Sequence, residues 1–149
     1  MNTVQHVAFI MDGNRRWAKE HKLSLFLGHE NGARNIEPLV EHAIKKGIHF
    51  LTFWAFSTEN WNRSDDEVKD ILGVFRKALH DPMIKRLKEL EARILVIGDI
   101  TPFPDDIKAD VSQILTDTEK NSRITVNIAL NYGGRAEILQ AVNTLLKEN

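Results

Sequence analysis

The chain has 149 residues, of which 42% are hydrophobic and 28% charged, a composition typical of a water-soluble globular protein with one buried core. Its formal net charge of −1 argues against binding to nucleic acid, and the absence of cysteine excludes disulfides, thiolate metal sites and thiol nucleophiles. No stretch approaches the ~20 consecutive apolar residues of a membrane span, and residues 1–9 lack the pattern of a signal peptide. We therefore expect a single cytoplasmic domain over residues 1–149.

Short apolar runs alternate with helical patterns along the first part of the chain. Residues 7–11 predict a strand, and their unbroken apolar character favours burial on both faces, as in a parallel sheet. A short polar region, residues 20–28, leads to a predicted helix whose apolar face repeats through residues 36–44 and which ends at Gly47. Residues 48–56 predict a second, aromatic strand.

The same alternation continues to the end of the chain. Ser64 and Glu67 have the spacing of a capping box and begin the next predicted helix, which Pro82 breaks before a second helical piece. Strands are predicted over residues 93–98 and 124–130, with a helix between them. A last helix is expected to turn its apolar side chains inward. These side chains are Ile138, Leu139, Val142, Leu145 and Leu146.

Repeated strand–helix units predict an α/β fold, with a parallel sheet of about four strands that is flanked by helices. The carboxyl ends of parallel strands share one edge of the sheet, which is where open α/β sheets bind ligands. Polar clusters follow the predicted strands at residues 12–14, 57–60, 98–99 and 131–134. This convergence predicts a ligand site, although we expect residues 98–99 only to end a strand.

The first of these clusters has the chemistry of a magnesium–diphosphate site. Asp12 supplies a carboxylate for the metal, and Gly13 and Asn14 can aim backbone N–H groups outward from a tight turn. Arg15 and Arg16 add fixed positive charge for phosphate oxygens. An ordinary surface turn between a strand and a helix accounts for the same residues, so the residues alone leave both alternatives open.

His29 is a second candidate for phosphate chemistry. It lies between Gly28 and Gly32, just before the predicted helix, where a helix N-terminus could hold an anion. The imidazole could accept a proton or donate to a phosphate, and an internally satisfied histidine is the simpler alternative. The chain has neither a glycine-rich phosphate loop nor a dinucleotide fingerprint. A phosphate-binding rim above an apolar interior would suit a substrate with a charged head and an apolar tail.

Five segments of the chain occur in the order and spacing of the cis-prenyltransferases. They read HVAFIMDGNRRWA, GHENGA, FWAFSTENWNR, VIGD and NIALNYGGR, and the resemblance extends over residues 6–138. It implies a parallel sheet with an apolar tunnel, and Mg²⁺-dependent condensation of isopentenyl diphosphate onto an allylic diphosphate such as farnesyl diphosphate. The product would be a cis-polyprenyl diphosphate such as undecaprenyl diphosphate, the source of a cell-wall lipid carrier.

The resemblance also assigns roles to individual residues. Asp12 matches the family's catalytic, metal-associated aspartate, and Asn60 matches the position described as proton acceptor. Those that match substrate-binding positions are Gly13, Asn14, Arg15, Arg16, Trp17, His29, Ser57, Thr58, Glu59, Trp61 and Arg63. A neutral amide is a poor general base, so His29 or the departing diphosphate is an alternative proton acceptor.

The implied tunnel would lie between the sheet and the helical residues 29–46 and 65–92. Val68, Leu72 and Phe75 are candidates to line it, and burial in an ordinary core is an equally good explanation for them. A homodimer or a complex with a partner chain is the expected assembly, with peripheral membrane contact for product release and no nucleic acid.

The chain departs from the family pattern at two places. Ser24 and Leu25 stand where the family has a Pro-Arg pair, and losing one charge-assisted contact costs roughly 1.5–3 kcal/mol of binding free energy. The chain also ends after the helix that follows NYGGR, whereas family members continue through further substrate-binding segments. An alternative to a stand-alone enzyme is therefore an incomplete subunit, or a non-catalytic polyprenyl-diphosphate-binding module, that needs a partner to supply the missing site.

Overall fold

The computed structural model describes residues 4–148 as a wholly parallel sheet of four strands, in the order β1-β2-β4-β3, with helices between them. The strands are β1 His6–Ile10, β2 Phe50–Ser57, β3 Ala92–Ile97 and β4 Ile124–Tyr132. The helices are α1 Asn14–Glu20, α2 Leu25–Ala33, α3 Ile36–Lys45, α4 Asp65–Leu79, α5 Pro82–Glu89, α6 Asp105–Thr118 and α7 Gly134–Glu148, and a 3-10 helix, Thr58–Asn62, follows β2. The predicted α/β class and its parallel sheet are confirmed.

The N-termini of α4 and α5 lie where capping residues in the sequence indicate them. The Ser64 hydroxyl accepts from the Glu67 backbone N–H at 3.4 Å, which begins α4. Asp81 accepts from the Met83 backbone N–H at 2.9 Å and caps α5, whose first residue is Pro82. A proline fits this position because its missing N–H would have no partner within the helix. The predicted break at Pro82 is confirmed.

The region of α1 and α2 differs from the prediction. Residues 20–28 were expected to form a polar connection, but α2 already begins at Leu25, after Ser24 accepts a 3.3 Å hydrogen bond from the Leu27 backbone N–H. Gly28, His29 and Gly32 therefore lie inside α2, and not in a loop that leads directly into the predicted helix, α3. The glycines of α2 weaken its local helix signal, and tertiary packing against α1 explains why they are needed.

The sheet is covered on one face only within the described residues. On the covered face, Leu51 and Phe53 of β2 are buried against helical side chains such as Val40 and Leu87. On the other face, Ile10 is 74% exposed and Phe50 is 45% exposed. The expectation that the first strand is covered on both faces is wrong, since alternate residues of β1 face solvent at the edge of the sheet.

The last helix also differs from its prediction. Its five apolar residues were expected to point inward, but they are between 47% and 72% exposed. These residues are Ile138, Leu139, Val142, Leu145 and Leu146. An amphipathic pattern indicates that a helix needs an apolar partner surface, and it does not supply that surface.

Candidate active site

A cavity of about 410 Å³ lies between the covered face of the sheet and the helices, and it reaches the carboxyl ends of β1 and β2. Its polar lining residues are Asp12, Asn14, His29, Ser57, Glu59, Asn60 and Arg63. The remainder is lined mainly by apolar side chains of the sheet and of α4, α5 and α6, together with Ala33 and Ile36. The cavity thus combines a polar, charged region with an apolar interior, as expected for a site that takes a charged head and an apolar tail.

The predicted lining from α4 is confirmed in part. Phe75 lines the cavity together with Ile71 and Val74, whereas Val68 and Leu72 lie outside its lining. Leu72 packs instead against the neighbouring core cluster around Phe103. The helical periodicity identified the buried stripe of α4, but it did not distinguish side chains that face the cavity from side chains that face the core.

Asp12 lies directly after β1 and is exposed to solvent. Its Oδ1 accepts from the Gly13 backbone N–H at 2.5 Å, and its Oδ2 accepts from Arg16 Nη2 at 3.1 Å. These contacts, the Gly13 hydrogen bond first, hold the pKa of Asp12 below its ordinary value, so the carboxylate is charged at neutral pH. Gly13 has a φ of 92°, the left-handed turn that the sequence predicts there.

Asn14 begins α1 and is pressed against the glycine face of α2. A Cβ atom on Gly28 would lie 2.5 Å from the Asn14 backbone oxygen, and one on Gly32 would lie 2.6 Å from Asn14 Oδ1. Such approaches are possible only where α2 has no side chain. Gly28 and Gly32 therefore let α2 pack closely against Asn14, and this packing positions the loop that carries Asp12. This role was not predicted; its signal in the sequence is the four-residue spacing of two glycines within one helix.

His29 lies on α2 between those two glycines and is half-buried. Burial lowers its pKa below the ordinary value of 6.5, and the positive charges of Arg63 and Arg15 lower it further, against smaller opposing effects of Asp70 and Glu67. The imidazole is therefore neutral at neutral pH and has a lone pair that can accept a proton.

The segment after β2 is folded around Asn60. Its Oδ1 accepts from the Ser57 backbone N–H at 3.0 Å, which forms a capping box at the start of the 3-10 helix. The Ser57 hydroxyl also donates to Glu59 Oε2 at 3.4 Å. The Asn60 carbonyl oxygen is thus engaged by the backbone, and its assignment as proton acceptor stays a prediction.

Asn131 and Gly133, which are outside the predicted set of site residues, hold this segment against the sheet. Trp61 Nε1 donates to Asn131 Oδ1 at 3.0 Å, and Asn131 Nδ2 donates to the Asp99 backbone oxygen at 2.8 Å. A Cβ atom on Gly133 would lie 2.5 Å from Thr58 Oγ1. Asn131 and Gly133 therefore anchor the 3-10 helix, a role that was not predicted for them.

The sequence model of the family described as putative undecaprenyl diphosphate synthase matches residues 10–149. The chain belongs to the cis-prenyltransferase family. It is 40% identical over 147 residues to an isoprenyl transferase of Fusobacterium nucleatum, covering 99% of this chain and 64% of the relative. It is 41% identical over 147 residues to a (2E,6E)-farnesyl-diphosphate-specific ditrans,polycis-undecaprenyl-diphosphate synthase of Pasteurella multocida, covering 99% of this chain and 61% of the relative.

Solved structures of other family members have the same fold. Lavandulyl diphosphate synthase from Lavandula x intermedia, in complex with dimethylallyl diphosphate, superposes with a TM-score of 0.92 at 30% identity, covering 98% of this chain and 62% of that one. A probable undecaprenyl diphosphate synthase from Campylobacter jejuni gives 0.77 at 28% identity, covering 99% and 64%. This cis-prenyltransferase chain thus spans less than two thirds of the length of these relatives. Within residues 4–148, no helix has the length and apolarity needed to cross a membrane.

The remaining predicted residues follow Asn14 on α1 and are not part of the cavity lining. Arg15 Nη2 forms a 2.9 Å ion pair with Glu67, and Arg16 pairs with Asp12. Trp17 is 37% exposed and stacks on His21, with ring centroids 4.3 Å apart. Both arginines are therefore paired with carboxylates, and one of these, Asp12, lines the cavity.

The lowered pKa of His29 leads to a direct test. NMR titration of the imidazole should give a pKa below 6.5 in the free protein, because burial and two arginines oppose its protonation. Adding inorganic diphosphate should raise that pKa, since a bound anion offsets the arginine charges. A His29→Gln variant identifies the resonance. A free-protein pKa at or above 6.5, or one that diphosphate leaves unchanged, would contradict this electrostatic account.

Proposed function

We propose that this chain is a prenyltransferase that condenses isopentenyl diphosphate onto an allylic diphosphate of the farnesyl diphosphate type, giving a cis-polyprenyl diphosphate. The observation that carries the proposal is the cavity, because its polar residues suit a diphosphate and its apolar interior suits a prenyl chain. The names of the relatives support the same substrate class. One is specific for farnesyl diphosphate, and one structure holds dimethylallyl diphosphate.

Mg²⁺ fits this site as an ion shared between protein and substrate. Among residues 4–148, no cluster of three or more histidine and acidic side chains forms a cage for a metal. Mg²⁺ usually binds one or two carboxylates together with substrate phosphates and water, and the exposed, charged Asp12 offers one such carboxylate. When bound, the ion would neutralise charge that develops on the leaving diphosphate.

The other site residues bind the diphosphate and manage the proton. Arg16 and Arg63 hold phosphate oxygens through charge-assisted hydrogen bonds, as the allylic carbon–oxygen bond breaks and the new carbon–carbon bond forms. The condensation then releases one proton from the isopentenyl unit. His29, neutral and half-buried, or the departing diphosphate accepts it, since the Asn60 carbonyl oxygen is already bonded to the Ser57 backbone N–H.

A second candidate function is a subunit whose site is completed by a partner chain or by a second copy. The exposed apolar side chains of α7 and of the open sheet face favour it, because large apolar surfaces of this kind are usually covered. Ile10 and Phe50 are examples on the sheet.

The test is incorporation of labelled isopentenyl diphosphate into a longer prenyl product, with farnesyl diphosphate, Mg²⁺ and detergent present. We expect incorporation that a chelator abolishes and added Mg²⁺ restores. Binding of farnesyl diphosphate by a folded chain without incorporation would favour the subunit or a binding module. Absence of both would overturn the proposal.

A further inference from the structure

An ion pair joins α1, which follows the Asp12 loop, to the first turn of α4. Arg15, the second residue of α1, approaches Glu67, the third residue of α4, with Nη2 and Oε1 at 2.9 Å. The Arg15 side chain is 54% exposed, whereas that of Glu67 is only 21% exposed. The carboxylate is thus the better-buried member of the pair, and the guanidinium reaches out to it.

The pair lies close to residues that line the cavity. Arg15 and Glu67 both act electrostatically on His29, together with Arg63 and Asp70. Asn14, the neighbour of Arg15, lines the cavity. The ion pair therefore lies beside the groups that the proposed function assigns to the substrate head.

Glu67 is a fixed support for the guanidinium because α4 is anchored at several points. The Ser64 hydroxyl accepts from the Glu67 backbone N–H at the start of the helix. Further along, Lys77 Nζ lies 2.9 Å from the buried Glu30 carboxylate of α2, and a Cβ on Gly73 would come within 3.3 Å of Phe26. The position of α4 is thus set by its packing on α2, and the Glu67 carboxylate is set with it.

A guanidinium held on one side keeps donors for another anion. Arginine carries five N–H donors in a planar fork, so one contact with Glu67 leaves others for phosphate oxygens. A side chain that is already oriented loses less conformational entropy when it binds its ligand.

We propose that Glu67 is a positioning residue that holds the Arg15 guanidinium beside the cavity for the diphosphate of the substrate. This inference rests on the proposed function of the cavity. It assigns Glu67 no contact with the substrate, and its effect passes through Arg15.

A positioning role and simple electrostatics predict opposite effects on diphosphate binding when the Glu67 carboxylate is removed. Removing a carboxylate near an anion site relieves repulsion, so charge alone predicts that Glu67→Gln binds diphosphate more tightly. Loss of positioning predicts weaker binding. Asp70→Asn is the matched control, because Asp70 is also an α4 carboxylate that acts on His29.

The experiment is calorimetric titration of the full chain with inorganic diphosphate and Mg²⁺. We expect Glu67→Gln to weaken binding by about 5-fold or more, and Asp70→Asn to bind as tightly as the parent or more tightly. In an Arg15→Gln background, Glu67→Gln should cause no further weakening. Thermal unfolding of each variant is measured in parallel, because a purely structural role would lower the melting temperature without this coupling.

Unchanged or tighter binding by Glu67→Gln would overturn the proposal, as would an equal loss in the Arg15→Gln background. Failure of the proposed function gives a different result. If the parent binds diphosphate with the expected variant pattern but transfers no prenyl group, the positioning role stands and the transferase assignment falls. If the folded parent binds no diphosphate, the positioning role is overturned as well.

Discussion

Replacing Asp12 by asparagine should reduce prenyl transfer by about 10²- to 10³-fold while leaving the fold intact. The side chain is exposed and contacts only its own loop, through the Gly13 backbone N–H and Arg16. Asparagine keeps the shape and one acceptor for that N–H. It loses the negative charge that we propose binds Mg²⁺, and the bound ion matters most when the diphosphate leaves.

Asp99→Asn provides the matched control for this substitution. Asp99 also follows a parallel strand, β3, and its Oδ1 accepts from the Thr101 backbone N–H at 2.9 Å. Asparagine can accept the same bond, so transfer and melting temperature should both stay near the parent values. Rates are compared by incorporation of labelled isopentenyl diphosphate. Equal losses in the two variants, or full activity of Asp12→Asn, would contradict the metal-binding role.

Local sequence patterns correctly predicted which side chains are buried wherever the rest of the chain supplies the surface that covers them. The apolar stripe of α3, for example Ile36 and Val40, is buried as its spacing predicts. The stripe of α7 is just as regular, yet Ile138 is 66% exposed, because periodicity describes one surface and says nothing about what covers it. The same limit explains the error in β1, whose apolar run was expected to be buried on both faces.

The candidate site was predictable where topology alone brings residues together. Asp12, Ser57 and Asn60 line one cavity because they lie at the carboxyl ends of β1 and β2, which are neighbours in a parallel sheet. The bond from Trp61 to Asn131 could not be predicted, since it joins residues 70 positions apart and depends on the side chain that each turn presents. The capping role of Asn60 could not be predicted for a related reason. Its motif suggested substrate chemistry, and the backbone contact became visible only in the folded segment.

Replacing Gly28 by alanine should displace the Asp12 loop and lower prenyl transfer by about 10²-fold, the usual effect of a shift of about 1 Å in a catalytic group. The new Cβ would lie 2.5 Å from the Asn14 backbone oxygen and 2.8 Å from the Ala18 Cβ. Neither atom can rotate away, so α1 must move as a unit. The free energy of unfolding should fall by about 1–3 kcal/mol from overpacking, less the gain of about 1 kcal/mol in helix propensity.

Two further alanine variants separate this steric effect from other causes. Gly134→Ala is the matched control, because a Cβ at the start of α7 meets no atom within 4 Å. Gly32→Ala should have an intermediate effect, since its clash is with the Asn14 side-chain amide, which can turn aside. Incorporation assays, diphosphate titration and urea unfolding are measured for all three. Because the displaced loop carries Asp12, the Gly28→Ala variant should lose transfer activity even without urea, when the variant is fully folded. A folded Gly28→Ala chain with parental transfer would show that the contact between α1 and α2 does not position Asp12 for the proposed reaction.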